Sequence, residues 1–474
     1  MMTNAEHFAK PEIEKLLQRM TRLLREALPA GVFEQREAAT LEVCNEVARR
    51  AFREELQEIA DGFTQTVEHH GQVYRQHQLA SVSYPSLCGP IEVNRFTYRR
   101  VGVRNGPTIV PMDLDAGIIE GVTPALARNV AHGYGENHMR AHLVLLEKAH
   151  RVPPPRATLE RIAKRLAANV VKKTAAIEPK VRRLEQVPEQ TNAIVIGVDR
   201  TSAPMEEPSE KPAKPRSKPY LRSPRSPVEV NYRMAYAATV SLVDGDGETL
   251  ITRRYAIEAS DSEEDMMARA MADVRHYVTQ RRDLKVAVVQ DGAHEMWNLV
   301  RPELRKLRTE GLLRCWSEAI DFCHLVERLN DALELCGETA RSWRLESWRA
   351  DLEATDRAID SIAAFLRFHR TDPATEEQRS KLEAHITYLE NNKDRMRYRK
   401  MRLHGLPIGS GVTESACKTL VNMRAKGAGQ RWHCRELGGV LNLRAITASD
   451  RFDAFWAIFA RMHAANVNNC VVAA

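Results

Sequence analysis

The sequence predicts a multidomain protein of mixed α+β and α/β class. A helical and β-hairpin N-terminal half precedes a mixed sheet wrapped in helices, with a helical insertion before the last helix of that sheet domain. Three observations lead there. At 474 residues the chain holds about three domains of ordinary size. Apolar residues recur at helical spacing up to residue 80 and again after 120, with one alternating stretch between them. From residue 193 short continuous apolar runs alternate with amphipathic stretches, as expected for strands buried on both faces.

Residues 1–85 form the first region, helical from about residue 8 to 80. Leu16, Leu17, Met20, Leu23 and Leu24, then Val43, Val47, Phe52, Leu56 and Ile59, carry the pattern of a bundle or dimerisation surface. His69 and His70 fall on its solvent face. Residues 86–120 alternate apolar and polar side chains around the turn signal Asn105-Gly106, a small β-hairpin module.

Residues 121–190 return to helix. After the break at Pro153-Pro154-Pro155, one helix face carries Leu159, Ile162 and Leu166, and the other carries Arg156, Arg161, Lys164 and Arg165. A helix, a turn and a basic helix suit a helix-turn-helix; a solvated scaffold face is the equal alternative.

The third part spans 191–337 and 403–447. Its strands are expected at 193–198, 229–243, 249–258 and 284–290, with a further one near 312–320. Residues 203–227 hold seven prolines and six basic residues and read as a disordered surface loop. Residues 338–402 read as a helical insertion with an apolar stripe of Trp343, Trp348, Leu352, Ile359, Ile362 and Leu366. A C-terminal helix and tail occupy 448–474.

Composition narrows the function. With 43% hydrophobic and 28% charged residues the chain is neither disordered nor a small disulfide scaffold. It has no apolar run of about 18 residues and no basic-then-apolar leader, so a cytoplasmic, nucleoid-associated protein with no membrane partner is expected. The eight cysteines form no C-x-x-C pair and read as reduced thiols. Net charge is +7, yet residues 393–431 hold ten Lys and Arg against two acids. That local surplus points to a polyanion.

Two expected strands stop on an acid, at Asp199 and Asp291, and a later helix begins around Glu414. A strand ending in Asp is common by itself, because turns favour Asp. The order β–β–β–α–β–α–β, followed by helices, is more telling. In a ribonuclease H-like sheet the first and fourth strands are neighbours, so their terminal carboxylates meet and a late helix supplies a third. Three clustered carboxylates repel one another and call for cations. Hard oxygen ligands suit Mg²⁺ or Mn²⁺, and two such ions about 4 Å apart serve phosphodiester chemistry. For Glu414 the alternative is a surface acid paired with Lys418 one turn on.

These segments resemble a family. "IGVDRTSAP" around Asp199, "VVQDGAHEMW" around Asp291, "DFCHLVERL", and "GLPIGSGVTESACKTLVNMRAKGAGQRW" around Glu414 are similar to the DDE transposases of bacterial insertion sequences, most like the Kra-type group. The likeness extends upstream through "SLCGPIEVNRFTYR" and covers roughly residues 80 to 445. It implies that Asp199, Asp291 and Glu414 are the catalytic, metal-holding acids, 92 and 123 residues apart. Asp321 and His324 match a D-x-x-H signature between the second Asp and the Glu, as a second tier. Where relatives carry a cysteine pair suited to zinc, this chain reads Arg99-Arg100-Val101-Gly102-Val103-Arg104, so zinc is not expected.

The resemblance implies binding to double-stranded DNA, at the terminal inverted repeats and the target, by a homodimer or higher oligomer. It also implies Mg²⁺- or Mn²⁺-dependent strand cleavage and transfer, that is, DNA transposition and recombination. Arg395, Arg397, Arg399, Lys400 and Arg402, with Lys418, Arg424, Lys426 and Arg431, would face phosphates beside the cleft, and residues 124–170 would grip the element's ends. A structure-selective nuclease or resolvase, and a non-catalytic domesticated DNA-binding protein, remain as alternatives.

Overall fold

A computed structural model describes residues 33–209, 228–337 and 341–470, with single positions between 15 and 25. The apolar positions from Leu16 to Leu24 and the proline-rich residues 210–227 lie outside the described residues. The architecture is mixed α/β with two five-stranded sheets. The chain forms two compact units, one from the described residues up to Leu166 together with those from Phe459 on, the other from Ala167–Ile458.

In the first unit, α1 (Phe33–Asp61) buries Leu56 against Tyr84, Ile91, Val93, Met112 and Ile118. The expected helix does not reach residue 80. Strands β1 (Thr66–His69), β2 (Gln72–Ser86) and β3 (Gly89–Arg100) form an antiparallel meander, joined by β4 (Thr108–Ile109) and by the C-terminal β10 (Asn468–Asn469). His69 therefore ends a strand and His70 takes the turn at φ +51, neither lying on a helix. The region between 66 and 86 alternates buried and exposed positions, but its outward residues (Gln72, Arg75, Gln78) are as helix-compatible as they are strand-compatible. The β2–β3 pairing also joins the hairpin module to residues before it, closing at Ser86–Gly89. Asn105 adopts φ +53 between β3 and β4, as its turn signal requires.

Helices α2 (Pro111–Asp115), α3 (Pro124–Glu136), α4 (Met139–Lys148) and α5 (Arg156–Arg182) follow. The predicted stretch 124–149 is broken at Asn137-His138. There His142 packs against Gly133, where a Cβ would overlap the imidazole, and its Nε2 lies 2.9 Å from Asn129 Oδ1. Leu159, Ile162 and Leu166 of α5 are buried as expected. Arg156, Arg161, Lys164 and Arg165 are exposed, Arg156 bonding Glu160 at 2.8 Å and Arg165 Glu120 at 2.7 Å.

The second unit is built on the sheet β7–β6–β5–β8–β9. Strands β5 (Ala193–Pro208), β6 (Val228–Val243) and β7 (Thr249–Ile257) are antiparallel, while β8 (Lys285–Gln290) and β9 (Ser317–Ile320) run parallel to β5. β5 continues to Pro208, so residues 203–208 are strand where a loop was expected. Their pairing with β6 from Val228 to Arg233 holds Pro204 and Pro208 on an edge that lacks the β8 partner. α6 (Glu263–Gln280) connects β7 to β8, and α7 (His294–Thr309) connects β8 to β9. Ser262 caps α6 through the amide of Asp265 at 3.0 Å.

Between α8 (Phe322–Leu335) and the Glu414 segment lie α9 (Arg341–Ala354), α10 (Ala358–Phe368), α11 (Glu376–Asn392) and α12 (Tyr398–Leu403). The expected stripe is buried at Trp348, Leu352, Ile359, Ile362 and Leu366, but Trp343 is 68% exposed and does not belong to it. The chain then forms α13 (Gly411–Ala416), a π-helical turn (Cys417–Asn422), α14 (Met423–Ala425), α15 (Cys434–Ala448) and α16 (Phe452–Arg461).

Candidate active site

Parallel pairing sets the levels of the two aspartates. The last β5–β8 pair is Ile196 with Val288, and Asp199 and Asp291 each lie three residues beyond it, close enough that the Asp199 charge acts on Asp291. Past that pair β8 ends at Gln290, while β5 runs on beside β6. Side chains alternate along a strand, so Val195, Gly197, Asp199 and Thr201 share one face of β5. Gly197 meets Thr413 there and Thr201 Oγ1 donates to Asn422 Oδ1 at 3.0 Å, so α13 and the π-turn cover this face. Glycine is required at 197, since a Cβ would overlap the Thr413 hydroxyl. Thr413 Oγ1 is also 2.7 Å from Thr239 Oγ1 of β6.

Asp199 accepts a hydrogen bond from its neighbour's amide, Arg200 N, at 2.7 Å, and its charge acts on the buried Cys417 thiol. Burial and the Asp199 charge push that thiol's pKa up. Asp291 accepts from Ala293 N at 3.0 Å. Burial first, then the Asp199 carboxylate, raises the pKa of Asp291, with His324 opposing. A buried acid raised further by a neighbouring carboxylate marks a place for positive charge.

Glu414 lies in the first turn of α13, its side chain 47% exposed. Ser410 Oγ donates to its Oε1 at 3.0 Å, and His324 Nδ1 stands 3.5 Å from the same oxygen. The alternative pairing with Lys418 is not what holds it. Asp321 caps α8, receiving the amide of His324 at 2.7 Å, with His324 Nδ1 3.1 Å from its Oδ1. Its Oδ2 accepts the amide of Ser410, and its own amide donates to Gln290 O at 2.9 Å, one residue before Asp291. Asp321 is 1% exposed; burial would raise its pKa, but the His324 and Ser410 amides hold it below the usual carboxylate value. Burial would lower the pKa of His324, and Asp321 and Glu414 raise it instead. Among the described residues, Asp321, His324 and Glu414 each offer a ligand atom, all within 4.8 Å of one another.

Asp291 therefore feels the charges of Asp199 and His324, whereas the close group of Asp321, His324 and Glu414 includes neither Asp199 nor Asp291. The basic residues divide. Arg399, Lys400 and Lys418 are exposed. Arg395 lies over the Trp297 ring at 4.8 Å and bonds Glu318 at 3.1 Å, while Arg397 is tied to Asp356 O and 3.5 Å from Asp360. Arg402 pairs with Glu353 at 3.0 Å, Arg431 with Glu206 at 2.7 Å, and Lys426 donates to Thr201 Oγ1 at 2.8 Å.

Arg424 is a correction. It is 3% exposed, its guanidinium 4.8 Å over the Trp432 ring, so it packs the core of its loop instead of facing a phosphate. Trp432 explains its own place in the motif, receiving and donating backbone bonds with Pro204 O and Glu206 N on the far end of β5 at 3.0 and 2.7 Å.

Sequence reasoning did not single out Gly197, Ser410, Thr413 or Cys417. A glycine within an apolar strand was the available signal for Gly197, because it marks close approach of another element. The other three carry none until the fold places them.

A cavity of about 1160 Å³ borders Gly292 and is lined by His294, Trp297, Arg370, Arg379, Tyr388 and Arg395, among others. Its aromatic rings are already occupied: Arg301 and Arg395 lie over Trp297, and Arg328 lies 3.8 Å over Tyr388.

No protein-family model and no curated protein matches the chain.

Among the described residues no helix is long and apolar enough to cross a membrane.

Proposed function

We propose that the chain is a DNA transposase of the insertion-sequence kind, cutting DNA ends and joining them to a target through Asp199, Asp291 and Glu414. The observation that carries this reading is the level placement of Asp199 and Asp291 on adjacent parallel strands, with the Glu414 helix packed on the same face through Gly197 and Thr413. The strand order and directions agree with a ribonuclease H-like sheet, in which that edge does the chemistry.

The donor set fits divalent cations. Asp199, Asp291 and Glu414 offer hard carboxylate oxygens, and the Asp199 charge adds to burial in raising the pKa of Asp291, a cost that a cation would offset. These three side chains would hold Mg²⁺ or Mn²⁺, which when bound supplies activation of the attacking oxygen and stabilisation of the leaving one. The protein's own part is placement. Asp291 is braced by the Ala293 amide, Asp199 by the Arg200 amide, and Glu414 by Ser410. Exposed Arg399, Lys400 and Lys418 supply sequence-independent phosphate contacts. The exposed face of α5 bearing Arg161 and Lys164 is the part of the first unit suited to duplex DNA. Joining two ends requires at least two copies of the chain.

The test uses full-length protein, Mg²⁺, a labelled duplex carrying the inverted repeats that flank the gene, and a plasmid target. The parent is expected to nick the repeat end and join its 3′-hydroxyl to the plasmid. Asp199→Asn, Asp291→Asn and Glu414→Gln are expected to bind the duplex and neither cut nor join. Cutting without joining would identify a nuclease, and binding without cutting by the parent a non-catalytic DNA-binding protein; either result overturns the transposase reading.

A further inference from the structure

We propose that Asp321 and Ser410 are positioning residues that set the aim of Glu414, Asp321 acting through Ser410 and not as a metal ligand itself. The proposal rests on the reading of Glu414 as an active-site carboxylate.

A carboxylate offers about four lone-pair sites, and Asp321 has spent most of its own on protein donors. Oδ1 takes the amide of His324 and faces Nδ1 of the same residue, and Oδ2 takes the amide of Ser410. It is 1% exposed. It sits instead where three segments meet. Its amide is bonded to Gln290 O at the end of β8, its side chain caps α8, and the Phe322 amide beside it bonds Ile408 O at 3.0 Å. The loop before α13 is thereby pinned to the strand that carries Asp291.

From that anchor two paths reach Glu414. Ser410, 6% exposed, donates its hydroxyl to Glu414 Oε1, and its carbonyl accepts the amides of Thr413 and Glu414 at 2.8 and 3.1 Å. His324, oriented by Asp321, stands beside the same Oε1. Glu414 is otherwise a half-exposed side chain on the six-residue α13, with many rotamers open to it. The hydroxyl of Ser410 narrows that freedom and holds Oε1 beside His324, so a cation meets a Glu414 already fixed in place. Partners of this kind in other metal sites alter metal affinity about 10–100-fold.

The experiment compares full-length parent, Ser410→Ala, Ser410→Thr and Asp321→Asn. Mn²⁺ alone is titrated by calorimetry without DNA, and cleavage of the repeat duplex is followed against Mn²⁺ concentration. Ser410→Ala is expected to weaken Mn²⁺ binding about tenfold. Its cleavage should need correspondingly more Mn²⁺, recover at saturating metal, and show unchanged duplex affinity and melting temperature. Ser410→Thr, which keeps the hydroxyl, is expected to match the parent, and Asp321→Asn to lose at least as much Mn²⁺ affinity as Ser410→Ala. A Ser410→Ala protein with the parent's Mn²⁺ isotherm overturns the proposal, as does a Ser410→Thr protein as impaired as Ser410→Ala. A parent that binds Mn²⁺ but never cleaves DNA overturns the transposase reading alone. A parent that binds no Mn²⁺ overturns both.

Discussion

Gly197 and Thr413 are packed so closely that the strand carrying Asp199 admits no side chain at 197 without displacing the helix that carries Glu414. Gly197→Ala is therefore expected to destabilise the fold by about 1–3 kcal/mol through overpacking. It is also expected to reduce DNA cleavage about a hundredfold, as small misplacements of catalytic groups do. Urea unfolding and cleavage rates check the pair of effects; parental values for both would show that Thr413 yields without moving Glu414.

Asp291 is held at a raised pKa by burial and by Asp199. A divalent cation relieves that conflict, so Mg²⁺ should raise the parent's melting temperature. At ten times its dissociation constant an ion adds about 1.4 kcal/mol. Asp291→Asn is expected to be at least as stable as the parent without Mg²⁺ and to gain little from adding it. Equal Mg²⁺ shifts in both proteins, read by differential scanning fluorimetry, would remove Asp291 from the cation site.

Asp273 governs the acid stability of the second unit. It is fully buried, bonded to Arg182 at 2.6 Å and to Arg451 at 3.0 Å, with Tyr255 donating to its other oxygen. Burial alone would raise its pKa, but the two arginines take it below the usual value. A depressed carboxylate adds stability above the unfolded-state pKa of about 3.9, and that stability drains away as pH falls through the lower folded value. Asp273→Asn should cost about 3–5 kcal/mol at neutral pH, because it leaves two buried guanidiniums short of charge. It should also flatten the loss of stability below pH 4. Denaturation curves between pH 3 and 7 that stay parallel for mutant and parent would contradict this.

Exposed and buried arginines should behave differently. Arg399→Ala combined with Lys400→Ala should lower the slope of log affinity against log salt by about 0.9 for each phosphate no longer neutralised, with stability unchanged. Arg424→Ala should instead lower stability by removing the stack on Trp432. If Arg424→Ala alters only the salt slope, its burial in the free protein does not describe its role on DNA.

Much of the second unit was legible in the sequence because its signals are local. The apolar run 193–198 reads as a strand buried on both faces and opens β5, and the strands expected at 229–243, 249–258 and 284–290 appear as β6, β7 and β8. The first unit was harder to read. Residues 66–86 carry polar side chains on one face that suit helix and strand alike, and the pairing of β1 with β10 joins segments about 400 residues apart, for which no local pattern exists. Trp343 fell into a stripe by spacing but lies exposed, because helical periodicity names a face without naming what covers it.

The amino-acid order alone singled out the three carboxylates from near neighbours in the chain: Asp291 follows β8 and Glu414 lies in the first turn of a helix, but Asp199, expected to end a strand, falls inside β5, which runs on to Pro208. Their placement was decided by tertiary structure. The parallel register of β5 and β8 levels the aspartates, Gly197 admits Thr413, and Asp321 ties the loop before Glu414 to the end of β8. Register and close approach are agreements between segments about 90 to 220 residues apart, so they exist only once the sheet has formed and the helices have packed on it.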